Sequence, residues 1–308
     1  MEQRQNLPKG ILGFPTAPFK NDGGIDEKAL EENIKYLIKE DLSAIFIACG
    51  SGEFQSLSAK EYQNMVDIAV SVTNKQVPVY TGVGGNIQEA LNQTVISEKA
   101  GADGYLILPP YLIQGEQEGI YEYYRSIIEN TNLNSIIYQR DNAISDLNTV
   151  TKLAELPQLI GLKDGHGNME LNIELIQHLG DRFEWMNGMP FAEITMPSYY
   201  HMGFETYSSA MSNYIPHISR MYFEALKKND KETLHNLYQD VLLPINDIRK
   251  KKKGYAVSLI KAGMEIMGFN VGQSVRAPVV EVSREHYKEL EGIVKRTLDK
   301  YPEPSVKK

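Results

Sequence analysis

Short apolar runs alternate along this chain with longer stretches in which apolar residues return every three or four positions. Eight of the runs have the length and composition of strands: residues 10–14, 44–49, 78–82, 104–108, 135–138, 159–163, 183–187 and 205–208. The stretches between them have the helical period. Leu30, Ile34, Leu37 and Ile38 share one face of such a segment, and Ile120, Tyr124, Ile127 and Ile128 share one face of another. Helix starts carry caps. Ser58 followed three positions later by Glu61 is a capping-box pattern, and Asn86 suits the start of the segment running toward Ala100. Gly101 closes that segment before Gly104 opens the next strand.

Eight strand–helix alternations of about 25–30 residues each predict an α/β fold, a parallel (β/α)8 TIM barrel, typically about 250 residues long. A doubly wound open sheet is the alternative, but no GxGxxG follows the first strand. From about residue 215 the strand pattern stops. Helical periodicity continues over 218–228, 231–247, 255–267 and 284–300, which predicts a C-terminal helical appendage. The expected organisation is a barrel over residues 7–228, helices packed on it over 229–301, and a disordered tail over 302–308.

Composition changes this picture little. The 308 residues are 42% hydrophobic and 23% charged, as in ordinary globular proteins. The formal charge of −8 argues against nucleic acid or an anionic membrane as a partner. Arg249, Lys250, Lys251, Lys252 and Lys253 form a local exception, which reads as a solvated helix end or loop. A single cysteine, Cys49, leaves no intrachain disulfide or thiolate cluster. Six histidines without ligand spacing make a metal site unexpected. Neither a signal-peptide pattern nor an apolar stretch near the roughly 20 residues of a membrane helix occurs, so a cytoplasmic location is expected.

The chemistry should lie where the strands end, because barrel enzymes place their sites at that face. The sixth run ends in Lys163-Asp164-Gly165. An ammonium at the tip of a buried strand loses hydration, its pKa falls, and the free amine can attack a carbonyl to form a Schiff base. The second run leads into Gly50-Ser51-Gly52, whose backbone N–H groups and hydroxyl suit a carboxylate or phosphate, or form a plain flexible turn. The fifth ends in Tyr138-Gln139-Arg140-Asp141-Asn142. Tyr138 is a candidate proton relay, and Arg140 could pair with an anionic group or bridge neighbouring acids. Gly188 follows the seventh run, and Ser208 and Ser209 end the eighth. Glu53 reads as structural. Gly82–Gly85 looks like a phosphate cradle but lacks the Lys-Ser/Thr of a P-loop.

These strand ends resemble the class I dihydrodipicolinate synthase/N-acetylneuraminate lyase family over about residues 7–301, through Gly50-Ser51-Gly52-Glu53, the Tyr138 motif and Gly161-Leu162-Lys163-Asp164. The resemblance implies that Lys163 forms the Schiff base with a 2-oxo acid, that Tyr138 shuttles protons, and that Gly50 and Ser51 hold the carboxylate beside the ketone. Three departures speak against dihydrodipicolinate synthesis itself. Gly50 stands in place of a hydroxyl residue, Leu112 in place of a second tyrosine, and Ala143 in place of an arginine.

Residues 50–57, 138–142, 162–168 and 207–210 are similar to the 5-dehydro-4-deoxyglucarate dehydratase subfamily, which removes water and CO2 from 5-dehydro-4-deoxy-D-glucarate to give 2,5-dioxopentanoate. That resemblance implies a sugar-diacid substrate, no metal or organic cofactor, and a homo-oligomer, dimeric or tetrameric. Arg140, Asn142, Ser208 and Ser209 are the candidates for the distal hydroxyls and carboxylate. A class I aldolase releasing pyruvate and a non-catalytic sugar-acid-binding regulator are the competing readings.

Overall fold

In the computed structural model, residues 7, 9–272 and 274–303 are described. Of the expected tail, residues 304–308 lie outside that range. Eight strands are present: β1 Gly10–Leu12, β2 Ile45–Ile47, β3 Val79–Gly84, β4 Gly104–Leu108, β5 Asn134–Gln139, β6 Leu159–Asp164, β7 Glu184–Asn187 and β8 Thr206–Ser208. A helix follows each: α1 Glu27–Lys39, α2 Ala59–Thr73, α3 Ile87–Ala100, α4 Gln117–Glu129, α5 Leu147–Leu153, α6 Met169–Leu179, α7 Met196–Met202 and α8 Pro216–Lys227. From β2 to β8 each strand pairs in parallel with the next, and β1 pairs in parallel with β8. A parallel bridge between Gly13 and Ile45 joins β1 to β2, so the sheet curls into the expected (β/α)8 barrel.

The caps act as the sequence predicts. Ser58 and Glu61 satisfy each other's backbone N–H groups at the start of α2. Asn86 accepts from Gln88 and Glu89 at the start of α3, and Gly101 closes that helix in the left-handed region.

One irregularity matters for the site. Ser135 pairs with Leu159 but Ile136 pairs with Gly161, so Ile160 is an extra residue in β6. A bulge of this kind resets which residues face inward. Beyond it, Gly161 faces Ile136 and Met186, a Cβ there would come within 2.6 Å of Met186 Cε, and Lys163 turns to the barrel axis above it.

The barrel interior is packed rather than open. Tyr80, Phe46 and Phe14 stack with ring centroids 5.0 and 4.8 Å apart, forming an aromatic column that rises to the C-terminal face. Leu12, Leu106, Ile136, Ile160 and Met186 are buried in the same cluster.

After α8 come α9 Lys231–Leu237, a π-helical turn at Tyr238–Leu242, α10 Leu243–Lys250, α11 Tyr255–Ile266 and α12 Arg284–Lys300. The stretch expected as one helix over 231–247 is therefore continuous but interrupted by one wide turn. Pro244 explains its place, since proline has no N–H to donate to the carbonyl four residues back. Helix α11 packs against the Gly50–Gly52 turn and brings Gly263 against the Tyr214 ring, where a Cβ would come within 2.8 Å. The C-terminal helices thus cover the face of the barrel on which the strands end.

Candidate active site

Tyr138 and Lys163 are 25 positions apart in sequence, and the β5–β6 register makes them direct cross-strand neighbours. Both are buried, Lys163 with 5% of its surface exposed. Lys163 Nζ lies 4.1 Å from the centre of the Phe14 ring and 4.6 Å from that of Tyr138. Cation–π contacts of this kind compensate only part of the lost hydration. Burial, followed by weaker effects of Cys49 (upward) and Arg140 (downward), pulls the Lys163 pKa down to about 7. A free amine is therefore present near neutrality.

The neighbourhood holds that amine rigidly. Gly188, directly after β7, packs against it so closely that a Cβ would sit 2.6 Å from Lys163 Cε and Cγ. Tyr138 Oη donates to the Gly188 carbonyl at 2.9 Å and accepts from Arg140 Nη1 at 3.2 Å. Burial raises the phenol's pKa, and Arg140 opposes that rise. Asp164, next in the chain, accepts from the backbone N–H of His166 at 2.9 Å and from Asn172 Nδ2 at 2.8 Å, and also binds the Tyr199 hydroxyl. Its carbonyl takes the Gly188 N–H at 2.7 Å. These bonds lock the tip of β6 and so the base of Lys163.

Gly50–Gly52 forms a single 3-10 turn after β2. Ser51 Oγ donates to the Phe14 carbonyl at 3.1 Å, tying the turn to β1. The N–H groups of Gly50 and Ser51 have no protein acceptor among the described residues, so they are free for an anion. The turn ends at Glu53, which is in the left-handed region and fully buried.

A cavity of roughly 590 Å3 lies above Lys163, walled by Phe14, Cys49, Gly50, Ser51, Tyr138, Arg140, Gly188, Ser208 and Ser209, together with residues of the α10–α11 segment. Two of the sequence candidates are not on its wall, Gly52 and Asn142. Gly52 is buried beneath the turn, where a Cβ would be 3.4 Å from the Pro15 carbonyl, and Asn142 follows Asp141, a residue with positive φ at the turn out of β5. Ser209 does border the cavity, but its hydroxyl donates to the buried carboxyl of Glu193 at 2.5 Å. Arg140 is committed to Tyr138 and to Asp141, 3.2 Å away. Ser208 has no hydrogen-bond partner from its side chain among the described residues.

One sequence expectation needs correction and another needs extension. The basic run is the expected solvated helix end and turn, with Lys250–Lys253 exposed, and Arg249, Lys250, Lys252 and Lys253 also border the cavity, while Lys251 pairs with Glu289 at 2.6 Å. A like-charge run in an acidic chain was the signal, but nothing local shows what it faces. Gly82–Gly85 is not an anion cradle. A Cβ on Gly82 or Gly84 would lie 2.3 or 2.4 Å from the Ala48 or Leu108 carbonyl, so these glycines let neighbouring backbones approach. Phe14 and Cys49, which flank the amine, stood at strand ends without a recognised role.

Among the described residues, no three His, Cys, Asp or Glu side chains gather as metal ligands. A buried lysine where the strands of a (β/α)8 barrel end is the arrangement used by lyases that work through a lysine Schiff base. The chain belongs to the dihydrodipicolinate synthetase family, whose model matches residues 7–297. A protein from Bacillus subtilis called probable 5-dehydro-4-deoxyglucarate dehydratase is 60% identical over 98% of both chains. One of the same description from Bradyrhizobium diazoefficiens is 41% identical over 96% of this chain and 94% of its own length. Among solved structures, dihydrodipicolinate synthase from Bacillus clausii superposes with a TM-score of 0.86 at 28% identity, covering 94% of this chain and 98% of that one.

Proposed function

We propose that the protein is a decarboxylating dehydratase that converts 5-dehydro-4-deoxy-D-glucarate to 2,5-dioxopentanoate, water and CO2 through a Schiff base on Lys163. What carries the reaction class is the buried amine of Lys163, held near neutral pKa against Phe14 and beside Tyr138. The substrate follows the description of the relatives that are 56–60% identical over nearly the whole chain.

Lys163 attacks the ketone next to one carboxylate, and the free N–H groups of Gly50 and Ser51 hold that carboxylate. Loss of water from the carbinolamine leaves a protonated imine. The imine withdraws electrons from the adjacent methylene, a base removes one of its protons, and hydroxide leaves from the next carbon with a proton, as water. Tyr138, whose oxygen is polarised by Arg140, relays these protons. The new double bond is conjugated with the imine. The C–C bond to the distal carboxylate then breaks, CO2 departs, and its electron pair runs through the conjugated system to the imine nitrogen. The hydroxyl-bearing carbon that lost CO2 is left as an enol; it gives up its O–H proton and becomes the aldehyde as the two carbons between it and the imine are protonated, and hydrolysis of the imine releases the dioxo acid and free Lys163. Ser208 serves the hydroxyls of the substrate.

We also read the protein as cytoplasmic and as a homodimer or homotetramer. No helix of the described residues is long and apolar enough to cross a membrane. The tip after β4 exposes 99% of Leu112 and 69% of Ile113, which supports burial against another copy.

The test is to incubate the protein with 5-dehydro-4-deoxy-D-glucarate and follow CO2, 2,5-dioxopentanoate and pyruvate together. CO2 with 2,5-dioxopentanoate, lost in Lys163→Ala, is the expected result. Pyruvate would identify an aldolase, and binding without turnover or borohydride trapping would identify a non-catalytic binder.

A further inference from the structure

The wall of the Lys163 cavity is strongly one-signed. Lys163 and Arg140 stand on the barrel side, Arg249, Lys250, Lys252 and Lys253 on the side of α10 and the turn to α11, and no Asp or Glu is among its lining residues. This occurs in a chain whose net charge is −8, so the concentration of positive charge is local. Arg249 is half-buried, and its Nε donates to Asn246 Oδ1 at 2.8 Å, which sets the direction of the guanidinium. Burial first, and the charge of Arg140 second, pull its pKa down. Arg140 has a carboxylate partner in Asp141, 3.2 Å away, whereas Arg249 has none among the described residues. The neighbouring lysines are little engaged: Lys250 is 3.9 Å from Asp247 and Lys252 lies 5.7 Å from the Tyr255 ring.

In the proposed reaction the carboxylate beside the ketone is accounted for by the Gly50–Ser51 turn, a part of the cavity wall distinct from α10. An unpaired half-buried guanidinium is stabilised by a carboxylate, which it binds through two parallel N–H donors. We propose that Arg249, assisted by Lys252 and Lys253, recognises the carboxylate at the far end of the substrate chain, so that the C-terminal helices rather than the barrel strands select 2-oxo diacids over 2-oxo mono-acids. This rests on the Schiff-base reading only for the placement of the near carboxylate.

The far carboxylate is also the group that leaves as neutral CO2 in the proposed reaction. Its negative charge moves away from Arg249 as the C–C bond breaks, so the ion pair is stronger in the ground state than in the transition state. Arg249 is thus a specificity residue. Its removal raises KM without lowering kcat.

The test uses binding calorimetry with 2-oxoadipate and with 2-oxohexanoate, which has the same length but no far carboxylate. The wild-type protein should prefer the diacid by on the order of tenfold or more, the scale of one hydrogen-bonded charge pair. Arg249→Gln should lose most of that preference while binding 2-oxohexanoate as before. The exposed pair Lys252→Ser/Lys253→Ser, which does not threaten folding, should reduce it in part and weaken its dependence on salt. The proposal is overturned if the wild type shows no preference, if the preference survives in both variants, or if Arg249→Gln weakens both ligands equally. Turnover of 5-dehydro-4-deoxy-D-glucarate is scored separately. A protein that prefers diacids through Arg249 without turnover refutes the dehydratase and keeps the diacid site.

Discussion

Lys261 Nζ lies 2.6 Å from Glu53 Oε1, and neither side chain exposes any surface. The pair joins the middle of α11 to the residue that ends the Gly50–Gly52 turn. The second oxygen of Glu53 accepts from the Arg276 N–H at 2.9 Å, and the ammonium also donates to the Ser274 carbonyl at 2.6 Å. Arg276 in turn pairs with Glu61 and stacks on Phe19, 4.3 Å from the ring centre. The Gly50–Gly52 turn, whose N–H groups are proposed to receive the substrate carboxylate, is therefore anchored to α11 and the segment that follows it. Removing one partner leaves a buried charge. Lys261→Met or Glu53→Leu should each lower stability by about 3–5 kcal/mol, with the double variant recovering a large part. Urea unfolding of the three variants measures this. A double variant no better than the worse single one would show that the pair contributes little coupling.

In the proposed reaction, Lys163 should set the pH dependence of imine formation. Its free amine increases as pH rises through about 7, so trapping of a 2-oxo acid by borohydride should follow a limb centred there. Arg140 pushes this pKa down, so Arg140→Gln should move the limb to higher pH. A limb that stays in place, or moves down, would contradict the electrostatic coupling.

The same lysine should be costly to stability. An amine with a folded pKa of about 7 against an ordinary lysine value of 10.5 binds fewer protons folded than unfolded across that interval. The destabilisation is complete below pH 7 and fades as pH rises toward 10.5. Lys163→Met should therefore be inactive yet more stable by a few kcal/mol at about pH 7, with the advantage shrinking in alkali. Thermal melts across that range check the sign.

Tyr138 and Gly188 separate chemistry from space. Tyr138→Phe removes the proposed proton relay and keeps the ring against Lys163, so kcat should fall about 10²–10⁴-fold while the fold persists. Gly188→Ala puts a methyl where Lys163 Cε and Cγ stand. It should cost about 1–3 kcal/mol through overpacking and abolish trapping by displacing the amine. Circular dichroism with borohydride trapping distinguishes these outcomes from unfolding.

Much of the fold was legible because its signals are local. Each of the eight strands is a short apolar run ended by a turn, and the capping residues Ser58, Asn86 and Gly101 sit where local hydrogen bonding needs them. Of the candidate site residues, Gly50, Ser51, Tyr138, Arg140, Lys163, Gly188, Ser208 and Ser209 border one cavity, because strand ends converge in a closed barrel. Gly52 and Asn142 do not, since one residue along a turn reverses direction. Gly188 and Ser209 show a different limit: the first makes room for Lys163, and the hydroxyl of the second faces Glu193.

The sequence by itself determined the order of elements and the (β/α)8 class and marked the lysine as the candidate reactive group, because hydrophobic period, caps and a charge at the tip of an apolar strand act within a few residues. Tertiary structure alone decided what lies across the cavity. The extra residue at Ile160 turns Lys163 inward, a stacked aromatic column desolvates it, Lys261 reaches 208 positions back to Glu53, and the basic run at 249–253 meets the strand ends. Contacts of that range arise from how helices close over the barrel, and no local pattern of apolar and polar positions encodes the distance between them.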